Sequence, residues 1–234
     1  MTTRTRAGIR YYLNYCMKVI AVTCLILLAL FSGIAYFTHG WKASGIFGTL
    51  QIVVLILGCQ AVGGPYRFLL QNGYSRQQIV RLLILGFVID AAFVMSLMTI
   101  ELIFDHFMAI TPATNLALYK GYFQHSLVFQ ITIVLGYFVE TLLYSSIGFL
   151  FASLWVRLSS LGKWLLGIII VALIIVFNTL GATLQPIFAK IMQILLGLST
   201  TGANPWPLFA TSILLTYLCY LGARQLLLGL QLRR

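Results

Sequence analysis

Acids are the scarcest charged side chains in this sequence: 234 residues hold four, against fifteen Lys and Arg. Two of them, Asp90 and Glu140, fall inside long apolar runs. A charge at the middle of a bilayer costs about 2.5–3.5 kcal/mol or more, and such a group normally faces a bundle interior or a cavity. No Lys or Arg lies at that depth to pair with either acid, so each carries a proton or accepts hydrogen bonds from neighbours. Two roles stay open for them: lining a transport path or locking two helices together between states, and neutral packing glue bonded to a nearby Ser, Thr or Tyr. Glu101 and Asp105 fall at the outer end of the run that holds Asp90 and read as solvated.

Other reactive side chains do not assemble into a site. Cys16, Cys24, Cys59 and Cys219 are scattered through apolar sequence, whereas a disulfide framework or zinc site needs clustered, regularly spaced cysteines. His39, His106 and His125 all fall near one surface, and no apolar run carries two histidines at i,i+4, so no metal site is expected. Gly73-Tyr-Ser-Arg76 lies in a loop and lacks the closing glycine of an intramembrane serine protease motif. There is no His-Glu-x-x-His and no Gly-x-x-x-x-Gly-Lys-Ser/Thr phosphate loop. An enzyme is therefore not expected, and neither is a nucleotide-hydrolysing motor.

The elements that position these residues must lie in a membrane. The sequence is 61% hydrophobic and 8% charged, where a soluble domain has about 25% charged residues. It reads as a single all-α transmembrane domain over residues 1–234. Six spans are predicted, near Val19–Phe37, Gly45–Val62, Leu82–Phe104, Leu127–Trp155, Trp164–Leu180 and Pro207–Leu228, each helical because a lipid-exposed backbone must bond within its own segment. The fourth exceeds the bilayer's need and should tilt, kink near Gly136 or Gly148, or project. The first run is too long for a signal-peptide core and is expected to stay as a span.

The net charge of +11 invites a nucleic-acid reading, but the basic residues sit at span ends instead of along one stripe. Twelve of the fifteen fall on one side, among them Arg10, Arg67, Arg76, Arg81, Arg157 and Arg224; Lys42, Lys120 and Lys190 fall on the other. The positive-inside rule makes the rich side cytoplasmic and places both termini there. Tyr11, Tyr12, Trp41, Tyr119, Tyr122, Trp155, Trp164 and Trp206 sit near span ends and read as an aromatic belt.

Three segments are neither span nor simple loop. Residues 1–18 read as a basic amphipathic helix lying in the interface, with Ile9, Leu13, Cys16 and Ile20 on one face and Arg6, Arg10, Asn14 and Lys18 on the other. In the loop 64–81, Pro65 suits the first turn of a short helix to about Gln71. Asn72-Gly73 ends it, and Ser75 with Gln78 matches a capping box for the next helix. That short helix is expected to leave Phe68, Leu69 and Leu70 exposed to no obvious core. Outside, 181–206 reads as a helical hairpin: Pro186 starts a helix with Ile187, Phe188, Ile191, Leu195 and Leu198 on one face, re-entrant or lying flat in the interface. The outer loop Asp105–Gln124 has room for a short interfacial helix.

Taken together, this layout and the stretch Phe68-Leu-Leu-Gln-Asn-Gly-Tyr-Ser-Arg-Gln-Gln-Ile79 resemble the permease subunits of type-2 ABC exporters. The resemblance in layout covers nearly the whole chain; the local motif covers about a dozen residues. It implies that the 64–81 loop is a coupling helix seated in a cleft of a separate ATPase. Arg67, Phe68, Leu69, Leu70, Gln71, Gly73, Tyr74, Ser75 and Arg76 would carry that contact. It implies two permease copies and two ATPase subunits in a cell membrane, bacterial by the family's usual setting. ATP and magnesium would reside in the partner and no cofactor in this chain. The large extracellular domain of some such permeases is missing. Rival readings are an ion- or proton-coupled transporter using Asp90 and Glu140, and a standalone membrane protein giving tolerance to a peptide toxin.

Overall fold

A computed structural model describes residues 7–8, 10–12, 14–23, 25–26, 44–107, 119, 121–123, 125–179, 189–191, 193–199 and 202–229. Helices dominate them. α1 comprises the helical positions described between 7 and 26. It is followed by α2 (Ser44–Ala61), α3 (Gly64–Gln71), α4 (Arg76–Phe107), α5 (Ser126–Arg157) and α6 (Ser160–Thr179). α7 comprises the helical positions described between 189 and 195, and α8 is Trp206–Leu228. Between the last two lies a minimal antiparallel ladder, β1 (Leu198–Ser199) with β2 (Gly202–Ala203), which pairs Leu198 with Ala203.

Among the described residues four stretches are long and apolar enough to cross a membrane: Leu50–Gln71, Arg76–Leu97, Leu127–Arg157 and Trp206–Leu228. The first is divided by a turn at Val62 and Gly63 into α2 and α3. Ser160–Ile169 within α6 is a shorter apolar helix. The chain is a helical, membrane-embedded protein. Most of the first expected span (27–37) and the start of the outer hairpin (181–188) lie outside the described residues, as do Ile9 and Leu13.

α5 is the hub: α2, α8 and α4 all pack against it. Its 32 residues reach about 48 Å, well past the roughly 30 Å hydrocarbon core. Small residues set the α2–α5 seam. A Cβ at Gly58 would run into the Ser145 carbonyl, and one at Gly148 into the Leu55 carbonyl, so the backbones meet as small-residue helix packing allows. The buried hydroxyls of α5 bond back into their own helix: Thr141 donates to the Tyr137 carbonyl at 2.7 Å, Ser145 to Leu142 at 2.9 Å and Ser153 to Phe149 at 2.7 Å. They cost no unsatisfied donor and leave α5 able to pack on several sides.

α1 lies on the bundle instead of skirting it. Tyr12, Cys16 and Ile20, one turn apart, are buried, while Arg10, Asn14 and Lys18 are exposed. Tyr12 therefore corrects the expected belt: it lies 2% exposed in the core, its ring over Gly86 and 6.1 Å edge-on from Phe87. Tyr119 is a second correction. It is buried, and its hydroxyl donates to the Leu196 carbonyl, tying the segment before α5 to the end of α7. Leu198 is a third: α7 stops at a turn with Gly197 at φ 67°, and Leu198 enters β1 instead of continuing the helix.

Candidate functional site

Two places stand out, one at a turn and one in the core. At the turn, α3 is a compact eight-residue helix. Its proline falls in the first turn, where a missing N–H costs nothing. At its end Gly73 adopts φ 75°, and the Gly73 and Tyr74 amides donate to the Leu70 and Leu69 carbonyls at 3.0 and 3.1 Å. This is the left-handed glycine termination the sequence predicts. The next helix then opens on the expected capping box. The Ser75 amide donates to Gln78 Oε1 at 3.1 Å, and the Gln78 amide to Ser75 Oγ at 3.3 Å.

The two faces of α3 differ sharply. Tyr66 and Leu69 are buried, Leu69 completely, and Gly8 of α1 lies against Leu69, Tyr74 and Leu82. This corrects the expectation that Leu69 is exposed, and Leu70 is likewise partly buried against the core. The outward face holds Arg67, Phe68 and Gln71, at helical spacing, followed by Asn72, Gly73 and Ser75. Phe68 is held flat by Tyr11 of α1, ring centroids 4.0 Å apart. Tyr74 is buried, and the Arg76 guanidinium donates to the Leu228 carbonyl at 3.3 Å. Of the nine expected contact residues, Arg67, Phe68, Gln71, Gly73 and Ser75 are outward; Leu69 and Tyr74 anchor the turn.

In the core, the two membrane acids have opposite surroundings. Glu140 of α5 accepts a 2.7 Å hydrogen bond from the Gln51 side-chain amide of α2. Asp90 of α4 is 2% exposed, and neither of its oxygens completes a hydrogen bond. The Tyr12 hydroxyl and the Cys16 thiol of α1 face it, but the Tyr12 hydroxyl is itself without a partner. One turn away, Phe87 packs on Phe149 of α5 and Tyr220 of α8, at 5.4 and 6.2 Å between ring centroids. The Tyr220 hydroxyl, which faces Ser145, also lacks a completed bond. Asp90 thus sits where α1, α4, α5 and α8 converge, beside hydroxyls that have not closed on anything.

Tyr12, Cys16, Tyr220 and Gln51 are the residues that the sequence reading missed. Gln51 carried a signal, as a lone amide inside an apolar run. Tyr12 and Cys16 carried a weaker one, their i,i+4 spacing. Tyr220 carried none. The described cysteines Cys16, Cys59 and Cys219 are free thiols. No group of three or more His, Cys, Asp or Glu able to hold a metal occurs among the described residues.

The geometry defines a membrane-embedded helical protein with a built turn and a buried polar junction. No protein-family profile, curated protein or solved structure matches the chain.

Proposed function

We propose that the chain is the permease subunit of an ATP-driven exporter of the type-2 ABC kind. In this reading six helices span a cell membrane with both ends inside. α3 seats in a cleft of a separate ATP-hydrolysing subunit, and cargo passes between two permease copies. The observation that carries it is α3 itself. A short helix capped at its end, fixed on one side by Leu69 and Tyr66, with Arg67, Phe68 and Gln71 outward, is more construction than a connection between two spans needs. An anchored helix with a free face suits transmission of force from a partner.

A second surface supports the second copy. α6 makes no extensive contact with α2, α3, α4, α5 or α8, and Leu161, Trp164, Leu165, Ile168 and Ile169 are exposed on it. Lipid covers such a surface equally well in energy, so copies pair there through shape and not through a hydrophobic driving force.

Gentle purification of the tagged chain from its native membrane tests the reading. A stoichiometric ATPase is expected to accompany it, and Arg67→Glu with Gln71→Glu is expected to remove that partner while leaving the chain folded. A chain that purifies alone and still works overturns it.

One observation favours a different reading, an ion- or proton-coupled transporter: the unpartnered Asp90 carboxyl. Function that survives ATP depletion but stops when the proton gradient is collapsed would select it.

A further inference from the structure

A cavity of about 240 Å³ opens between the start of α4 and the end of α8, lined by Gln77, Val80, Arg81, Ile84, Arg224 and Leu228. Its composition is divided. Arg81 and Arg224 are exposed at its rim, whereas Val80 is buried and Ile84 and Leu228 are half-buried in its floor. Two more guanidinium groups stand nearby. Arg76 donates to the Leu228 carbonyl at 3.3 Å, and Arg157 lies against Gly229, just past the end of α8. Four arginines from α4, α5 and α8 therefore gather around one helix end.

Among the described residues no acidic side chain lines this cavity. The four acids of the chain are Asp90, Glu101, Asp105 and Glu140. The nearest along α4, Asp90, is nine residues beyond Arg81, about 13 Å up the helix. Membrane orientation explains why arginines are on this side of the membrane. It does not explain why two of them share a cavity whose floor is apolar.

We infer that this cavity binds the phosphate of an anionic phospholipid, with Arg81 and Arg224 clamping the headgroup and the upper part of an acyl chain lying along Ile84 and Leu228. Guanidinium groups match phosphate oxygens with paired N–H donors. Basic pockets between helices at the cytoplasmic surface are a recognised form of headgroup site. The apolar floor selects a lipid over a soluble phosphate: a free anion would leave the half-buried Ile84 and Leu228 partly facing water. The bridge from Arg76 to Leu228 holds α8 to the start of α4, so an occupied cavity would brace α8 against the helix that follows the α3–α4 turn.

The test is native mass spectrometry of the full chain in mixed detergent micelles. Phosphatidylglycerol, phosphatidylcholine and sn-glycerol 1-phosphate are titrated separately. Phosphatidylglycerol is expected to bind with defined stoichiometry, and Arg81→Gln with Arg224→Gln to weaken it about 30-fold. Ile84→Trp keeps both charges and fills the floor; it is expected to weaken binding as well, which keeps the test decisive if the double variant does not fold. Lys18→Gln with Lys163→Gln removes the same charge elsewhere and is expected to leave binding unchanged. Equal loss in that control would overturn the site in favour of general surface attraction. Equally tight phosphatidylcholine would overturn the role of charge. Glycerol phosphate bound as tightly as the lipid would overturn the lipid and leave a soluble phosphate as the ligand.

Discussion

Glu140 and Asp90 are the two acids of the membrane interior, and they are held in opposite ways. Glu140 is tied by Gln51 across the same α2–α5 seam on which the backbones approach at Gly58 and Gly148, about two turns away. Asp90 is more deeply buried, among the side chains of α1, α4 and α8, with both oxygens unsatisfied. A partnered polar group stabilises the state in which it is partnered. An unpartnered buried one costs stability in that state. The difference sets a hydrogen-bonded seam, α2 with α5, against a junction around Asp90 whose polar groups are not fully paired. In the proposed exporter the junction moves: α1 lies on it and also on the α3–α4 turn, through the Tyr11–Phe68 stack, so a push on α3 reaches Asp90 through Tyr12 and Cys16.

The largest effect should come from breaking the seam. Gly148→Val drives a branched side chain into the α2 backbone, and overpacking costs about 1–3 kcal/mol or more. The expected result is a lower melting temperature in detergent and loss of the folded peak on gel filtration. Unchanged melting would mean that α2 and α5 do not meet as closely as the structure has them.

Next in size is Asp90→Leu. Replacing an unsatisfied buried acid by an apolar side chain removes the cost of burying its unpaired polar atoms. Melting is therefore expected to hold or rise, while in the proposed exporter ATP hydrolysis by the complex falls about tenfold, roughly the 1.4 kcal/mol of one decade. A fall in melting instead would show that Asp90 is structural glue like Glu140. Glu140→Ala strands the Gln51 amide and is expected to cost about 1 kcal/mol, the scale of side-chain bonds between membrane helices. Glu140→Gln keeps an acceptor and should be nearly silent in the same melting assay. If the two variants behave alike, the bond to Gln51 carries nothing.

The smallest effect belongs to the turn. Gly73→Ala places a Cβ at φ 75° and should cost about 1 kcal/mol, seen as faster amide exchange at residues 70–76 with the bundle melting unchanged.

Much of this was legible in the sequence. Local rules wrote the turn: Pro65, Asn72-Gly73 and the Ser75/Gln78 pair each act over three or four residues, and each appears where expected. The apolar runs likewise marked α2, α4, α5, α6 and α8 to within a few residues at most ends. What failed depended on contacts distant in sequence. Leu69 was expected outside because nothing local reveals that α1 returns to cover it. Tyr12 and Tyr119 looked like belt residues because an aromatic at a span end has the same local signature whether lipid or a helix lies beside it. Asp90 and Glu140 were found as a pair, but their difference rests on Gln51 and Tyr12, 89 and 78 positions away, and no periodicity carries that.

The most direct measurement is site-specific crosslinking in native membranes, with a photoreactive residue placed at Gln71 on the outward face of α3 or at Gln193 on α7. The exporter account predicts one major crosslink from position 71, to an ATP-hydrolysing subunit, and none to that subunit from position 193. No ATPase captured from position 71, or the same ATPase captured from both, would contradict the assignment of α3 as the seat of the motor.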